Sequence, residues 1–290
     1  GTMQEFSFSN LALASFLLAA VCTYIVIETS NLFALLRIRS SMIAAVWVVC
    51  ISMLPALHSF SMGWVAVTAL AASYYTMFLA YQQHEPVLHI FHSFLLLGIA
   101  SLAIPHVVAF VPLYYWYLLV FLRCLTWRGF WAGTVGMALP ACFALGWCIL
   151  SRDFTFILGR WELLQATSFF PADGYAWLMS CREPQALNFA FITLLSVIGI
   201  VHYLRTYYND KIRTRMYLYI YVMQTVASWL LMVCIPDLFC LVYPVFLLGA
   251  STMIAHFFAL TGTIVSNLLF CLCLILALML FTLNMGLWTF

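Results

Sequence analysis

The residues best suited to chemistry lie in the stretch QQHEPVLHIFHS, residues 82–93, in a chain that otherwise carries little charge. His89 and His92 are three residues apart, so both side chains fall on one face of a helix. Imidazoles at such spacings, with His84 and Glu85 nearby, are typical of iron sites in membrane enzymes. The alternative is a solvated turn at His84 and Glu85, followed by a polar strip at His89 and His92 that faces the bundle interior or the lipid headgroups.

An iron site of that class needs more paired imidazoles than this chain supplies. The other histidines stand singly in the sequence, at His58, His106, His202 and His256. Cysteines add no ligand set, because Cys271 and Cys273 point about 200° apart on a helix and no CxxC spacing occurs. We therefore favour the polar strip and predict no metal and no cofactor.

A second candidate site lies in residues 151–187, where Arg160 and Arg182 could bind phosphate. A guanidinium group makes paired hydrogen bonds to phosphate oxygens, and at a membrane edge the phosphate comes at little desolvation cost. The aromatic residues Trp161, Phe169 and Phe170 would line the path of an acyl or polyprenyl chain. The alternative is that both arginines only contact lipid headgroups.

Composition predicts the elements that must position these residues. Of the residues, 66% are apolar and 7% are charged, with a mean hydropathy of +1.08, whereas soluble domains carry about 25% charged residues. Ten segments are apolar enough and near the 20 or so residues that a spanning helix needs: 9–27, 42–60, 62–80, 87–104, 106–122, 130–150, 188–204, 216–234, 238–256 and 263–283. We expect an all-α, polytopic transmembrane helical bundle that forms a single domain over 1–290. Gly1 and Thr2 precede Met3 and are interpreted as a tag remnant.

Four pairs of these segments are separated only by short breaks. Proline or glycine stands at each break, at Gly63, Pro105, Pro236 and Gly262. These residues favour tight hairpins over continuous helices of about forty residues. A kink in place of one hairpin would lower the count to eight or nine spans.

Basic residues predict the orientation, because Lys and Arg in short loops stay on the cytoplasmic side. Three loops carry most of the eleven basic residues and fall on one side of a ten-span bundle. Their members are Arg37 and Arg39, then Arg123 and Arg128, and finally Arg205, Lys211, Arg213 and Arg215. We therefore expect both termini on the outer side of the membrane. Segment 151–187 would lie outside, with a short interfacial helix in FTFILGRWELLQATSFF.

Several polar or small residues lie inside the predicted spans. Gly129, Gly133 and Gly136 form a smooth face that predicts close helix packing, with a lipid-chain cleft as the alternative. The polar residues of helix interiors are Gln224, Thr225, Ser228 and Asn267. We favour hydrogen bonds between helices for these four over a substrate site. A disulfide between Cys181 and Cys234 is possible if the two approach within bonding distance.

The run FHSFLLLGIASLAIPHVVAFVPLYYWYLLVFLRCLTWRGFWAGTVGMALP, residues 91–140, carries a resemblance. Its order is a Phe-x-x-x-Leu-x-x-Gly-Ile-Ala-Ser-Leu stretch, a proline-containing helix, Leu-Arg before Trp-Arg, and a glycine-rich helix that ends in proline. It resembles an uncharacterised family of polytopic inner-membrane proteins of Bacteroidota. The resemblance implies a bacterial inner membrane, and the histidine strip is not part of the pattern.

Two classes of function remain at this stage, and the first of them includes two mechanisms. The first is an envelope-related membrane protein that transports an amphipathic molecule or acts as a scaffold, with membrane lipids and a membrane-protein partner as its contacts. The second is a membrane-embedded transferase that acts on a lipid-linked substrate at the outer face. No segment has the features of a nucleic-acid-binding protein, so we expect no nucleic-acid partner.

Overall fold

The computed structural model describes residues 2–38, 40–54, 57–171, 175 and 184–284, and it describes them as helices and connecting turns without a strand. Apolar runs of this length form helices because each backbone N–H then finds its acceptor four residues earlier in the same segment. The eleven α-helices of the described residues are α1 (Thr2–Leu32), α2 (Met42–Ser52), α3 (Met62–Leu79), α4 (Val87–Ala103), α5 (Val111–Trp116), α6 (Trp127–Ser151), α7 (Thr155–Gln165), α8 (Pro184–Thr206), α9 (Ile212–Cys234), α10 (Phe239–Leu260) and α11 (Ile264–Asn284).

Seven helices in the described part of the chain are long and apolar enough to cross a membrane: α1, α3, α6, α8, α9, α10 and α11. Three more apolar helical segments are shorter than eighteen residues, namely α2, α4 and Pro105–Phe121, which includes α5. Each coincides with one of the ten predicted segments. The chain thus has the helices of a multi-pass membrane protein.

Two of the ten segments differ in detail from their prediction. Helix α2 ends at Ser52, although the apolar run continues to residue 60. The segment Pro105–Phe121 is a 3-10 helix, one α-helical stretch and a π-helical turn in succession. Pro105 and Pro112 cannot donate backbone hydrogen bonds, which explains why its first half does not form a regular α-helix.

The chain divides into two compact units, and the second of them, Met62–Phe169, contains α3 to α7. Its core is the contact of α4 with α6, where the predicted glycine face packs. A Cβ on Gly136 would lie 2.6 Å from the carbonyl oxygen of Phe91, so only glycine lets the two backbones approach this closely. Gly129 and Gly133 face Ile90 and Phe94 of the same helix α4. The prediction of close helix packing is confirmed.

The predicted short helix in segment 151–187 is α7, and none of its described side chains is buried. Asp153 stabilises its start, because its carboxylate accepts hydrogen bonds from the backbone N–H and the hydroxyl of Thr155. After α7, the Thr167 hydroxyl donates to the Leu163 carbonyl. The Nε2 of His106 must therefore donate to Thr167 across their 2.8 Å contact, which ties this segment to the start of Pro105–Phe121.

The first unit, which consists of Gly1–Ser61 and Phe170–Phe290, is built around α10. Helices α2, α8 and α9 pack against α10, and its residues from Val242 to His256 are all buried. Helix α8 runs parallel to α10: Phe189 packs against Phe246 near one end, and His202 packs against His256 near the other. A Cβ on Gly199 would lie 2.6 Å from the Met253 carbonyl oxygen, so glycine is required at this crossing.

Candidate functional site

A charged cluster is buried in the first unit, where the chain after α1 meets the loop between α8 and α9. The Nε of Arg37 donates to the carboxylate of Asp210 at 2.5 Å. The Nε2 of His256, on α10, lies 3.4 Å from the other carboxylate oxygen. Asp210 and His256 have fully buried side chains, whereas the Arg37 side chain is 36% exposed. We call these three residues the Arg37–Asp210–His256 cluster.

Electrostatics keep Asp210 ionised in this setting. Burial alone would raise the pKa of the Asp210 carboxyl, but His256 and the Arg37 guanidinium outweigh burial and hold that pKa below its ordinary value. A carboxylate buried without such partners would be costly. The cluster therefore carries a permanent ion pair at neutral pH, and His256 faces its anionic member.

Hydrogen bonds from three elements hold the cluster in place. A second nitrogen of Arg37 donates to the carbonyl of Thr206 at the end of α8. Arg215, in the first turn of α9, donates to the backbone carbonyls of Asp210 and Tyr208. The Tyr203 hydroxyl of α8 donates back to the Arg215 carbonyl at 3.0 Å. The loop between α8 and α9 is thereby fixed with the Asp210 side chain pointing inward.

Buried polar residues also occur along α8, α9 and α10 of the same unit. Each of these residues is at most 2% exposed: Asn188, Ser196, Gln224, Thr225, Ser228, Ser251, Thr252 and His256. The two members on α8, Asn188 and Ser196, are about 12 Å apart along the helix axis, given the helical rise of 1.5 Å per residue. We call this set the polar column.

The column differs from what the sequence predicted for its hydroxyl groups. Thr225 and Ser228 donate to carbonyls of their own helix, at Tyr221 and Gln224, instead of to a neighbouring helix. Asn188 is fully buried, and neither atom of its side-chain amide has a hydrogen-bond partner among the described residues. A buried amide of this kind is costly, so Asn188 is a candidate for contact with a bound molecule. Asn267, the fourth predicted interior residue, is exposed.

A cleft of about 260 Å³ opens beside the column, between α8 and α9. Both helices pack on α10 and make few contacts with each other over their middle parts. The cleft is lined by Thr193, Ser196, Val197, Ile200, Thr225, Val226, Trp229 and Phe246. Its two rims, Val197 and Val226, are about half exposed, so the cleft is open at the protein surface.

The predicted phosphate site is only partly within the described residues. Arg160 lies on α7, half-buried, with its guanidinium 5.1 Å from the centre of the Phe156 ring. Trp161 and Phe169, in the same unit, are largely exposed, as is Phe170 in the other unit. Arg182 lies outside the described residues, so their joint action on a phosphate stays a prediction. Cys181 is also outside them, which leaves the predicted pairing with Cys234 open.

The histidine strip has the exposure that the favoured interpretation predicts. His84 and Glu85 are exposed in the turn before α4, and His89 and His92 are half-buried on that helix. Within the described ranges, no group of three or more His, Cys, Asp or Glu side chains is arranged to hold a metal ion. The absence of a bound metal stays a prediction.

Comparisons with known proteins add no family to this geometry. No protein-family model matches the chain, and no curated protein matches it in sequence.

The sequence indicated parts of the cluster but not their convergence. Asp210 lies among basic residues in a predicted cytoplasmic loop, where a carboxylate is expected to be exposed to solvent. His202 and His256 lie near predicted helix ends. The predicted topology is the signal that could have found the cluster, because it places Arg37, Asp210 and His256 at the same face of the membrane. Spacing along the chain could not pair them.

Proposed function

We propose that this chain is a multi-pass protein of a bacterial inner membrane that transports an amphipathic molecule of the cell envelope. The observation that carries the proposal is the Arg37–Asp210–His256 cluster, whose Asp210 and His256 side chains are fully buried in the unit that also contains the polar column. A buried ion pair is costly to desolvate, and clusters of buried ionisable groups are frequent at functional sites. The cluster would lie beside the path of the polar part of the molecule, and the cleft between α8 and α9 would accept its apolar part. A scaffold would need neither feature.

The proposal includes ten spans with both termini in the periplasm. Seven long apolar helices and three shorter apolar segments support this count. The basic loops around Arg37, Arg123 and Lys211 all lie on the cytoplasmic side only if an even number of spans separates each loop from the next. Segment 151–187 is then periplasmic, and α7 lies at the outer membrane interface with Leu158, Trp161 and Leu164 exposed to it.

Cysteine labelling tests this topology. In a variant without native cysteines, Arg123→Cys and Arg213→Cys should be protected from a membrane-impermeant maleimide in right-side-out vesicles. Gln165→Cys and Ser168→Cys should react, because they lie in the proposed periplasmic segment. All four residues are exposed, so burial does not confound the comparison. Reaction of Arg213→Cys from outside would contradict the proposed orientation.

Transport is tested with phosphatidylglycerol that carries a nitrobenzoxadiazole fluorophore on one chain, in vesicles of unlabelled phosphatidylethanolamine and phosphatidylglycerol. Dithionite bleaches only the outer leaflet, so transport increases the bleached fraction above that of protein-free vesicles. We expect such an increase with the native protein. The variant His256→Gln should lower the rate constant of this additional bleaching by roughly tenfold, because it removes the imidazole that faces the Asp210 carboxylate.

The control for this measurement is His84→Gln, which changes an exposed histidine outside the cluster and should transport as the native protein does. Equal bleaching with and without the native protein would contradict transport of this class of lipid. Equal rates for His256→Gln and the native protein would show that the cluster does not serve transport.

A membrane-embedded transferase acting on a lipid-linked substrate is the second candidate, supported by the half-buried Arg160 among exposed aromatic residues. Such an enzyme also needs a general base near the phosphate. Hydrogen bonds from the backbone and hydroxyl of Thr155 lower the pKa of Asp153 and occupy its carboxylate as a helix cap. This carboxylate is thus poorly placed to act as the base, and transport is the better-supported function.

A further inference from the structure

We infer that the cleft between α8 and α9 binds one acyl chain of an anionic glycerophospholipid, with the lipid phosphate at Lys211 and Arg215. The inference deepens the proposed function and rests on it for the membrane setting of these helices. It assigns the bound molecule a chemical class and places its charged end.

Helical periodicity places Arg215 on the cleft side of α9, and Lys211 is the residue just before the first turn of this helix. Positions 215, 222, 226 and 229 follow one face, since residues three, four or seven apart lie near one another on a helix. Val226 and Trp229 line the cleft on this face. Arg213 lies on the opposite side of the helix, so it provides a matched comparison two residues from Lys211.

The basic residues at the start of α9 suit a phosphate. Lys211 is exposed, and no carboxylate among the described residues lies within ion-pair distance of it or of Arg215. Arg215 is held in position by its bonds to the Asp210 and Tyr208 carbonyls, and its guanidinium lies 5.6 Å from the centre of the Tyr207 ring. The nearby Asp210 carboxylate is neutralised by Arg37, so it does not repel an anion strongly.

The length of the site matches one leaflet. From Arg215 to Val226 the helix rises about 16 Å, and half of a bilayer core is about 15 Å thick. The cleft walls at that depth are mainly apolar, which suits an acyl chain. The hydroxyl groups of Ser196 and Thr225 are bonded to their own helices and demand no partner from the chain. A phosphate at Lys211 thus puts the end of an acyl chain in the cleft.

The test is equilibrium binding to the full-length protein in detergent, measured by native mass spectrometry with phosphatidylglycerol and phosphatidylcholine of identical acyl chains. The native protein should prefer phosphatidylglycerol. Lys211→Gln should reduce that preference about fivefold, the contribution of one basic residue to binding an anionic lipid, and Arg213→Gln should leave it unchanged. An unchanged preference in Lys211→Gln would overturn the assignment of the headgroup.

The acyl chain is tested separately with Val197→Trp, which fills the cleft from its rim. Both lipids should bind about tenfold more weakly, because several methylene groups lose their burial, while the preference between them persists. Val135→Trp is the control, since Val135 is equally exposed but lies on α6. Glycerophosphoglycerol, which lacks acyl chains, should not bind measurably. Tight binding of that compound, or equal affinities for the two tryptophan variants, would overturn the cleft assignment.

The results of the binding measurement and the transport assay together distinguish the lipid site from the proposed transport function. Lipid binding without bleaching of the labelled lipid would retain the site and contradict transport. Bleaching that persists in Val197→Trp, when binding is lost, would retain transport and place its path outside the cleft.

Discussion

Replacement of Arg37 by glutamine is expected to lower the free energy of unfolding by about 2–4 kcal/mol, because it leaves the buried Asp210 carboxylate with only His256 beside it. Asp210→Asn should cost less, since the Arg37 side chain that remains is 36% exposed and can turn to water. The measurement is thermal or denaturant unfolding of each variant in the same detergent. Equal or reversed costs for the two variants would contradict the burial argument.

The double variant Arg37→Gln with Asp210→Asn separates a structural role of the cluster from a transport role. It removes both charges, so it should recover most of the stability lost in Arg37→Gln. Transport of the labelled phosphatidylglycerol should nevertheless remain slow. Arg123→Gln, an exposed arginine of the other unit, is the control and should change neither quantity. Native transport by a stable double variant would show that the cluster only holds the helices together.

The pH dependence of the same pair follows from the lowered pKa of Asp210. A carboxyl whose pKa is lower in the folded state stabilises the protein above the pKa of the unfolded chain, and this stabilisation is lost as pH falls through the folded value. The stability that the Asp210 carboxyl contributes to the native protein should therefore be complete at neutral pH and should be lost below about pH 4, as pH falls from the ordinary aspartate pKa towards the lowered folded value. Denaturant unfolding of the native protein over this pH range measures the loss.

The second large effect is expected from Gly136→Ala, which should destabilise the protein by about 1–3 kcal/mol through overpacking. The added Cβ would lie 2.6 Å from the Phe91 carbonyl oxygen and 3.2 Å from the Leu95 nitrogen. Both are backbone atoms, so α4 and α6 would have to move apart. A glycine of α4 likewise lies close to the backbone of α6, because a Cβ on Gly98 would lie 2.8 Å from the Met137 carbonyl oxygen.

Gly146→Ala is the matched control for this effect. Gly146 lies on the same helix, and a Cβ there would meet nothing within 4 Å. Alanine has the higher helix propensity, so stability should stay the same or rise by up to about 1 kcal/mol. Unfolding midpoints of the two variants in one detergent provide the comparison. If Gly136→Ala were as stable as Gly146→Ala, close packing of α4 on α6 would not contribute to stability.

Helices and their approximate bounds could be predicted from the sequence because the responsible forces act within one segment. A continuous apolar run must satisfy its backbone hydrogen bonds internally, and each of the ten predicted segments coincides with a helical segment. The same holds for α7, whose pattern is local, and for the glycine face of α6. The departures occur where local rules compete, as in Pro105–Phe121, where prolines interrupt the regular helix.

The candidate site could be predicted only in fragments. Gln224, Thr225 and Ser228 stood out as polar residues within an apolar span, and all three are buried in the polar column. The sequence did not show that the hydroxyl groups of Thr225 and Ser228 bond within α9, because a side chain's partner depends on what the neighbouring helix presents. It also did not show that Asn188 is fully buried, since Asn188 lies near a predicted helix end.

By itself the sequence determined that this protein is a set of apolar helices with basic residues at alternate turns, since composition and periodicity act along one segment at a time. Only the tertiary structure decided that Asp210 is buried and paired with Arg37, which stands 173 positions away in the chain. That pair forms when the end of α1, the loop between α8 and α9, and α10 meet at one point. The burial and charge that make it a candidate site arise from this meeting of distant elements, which no local pattern records.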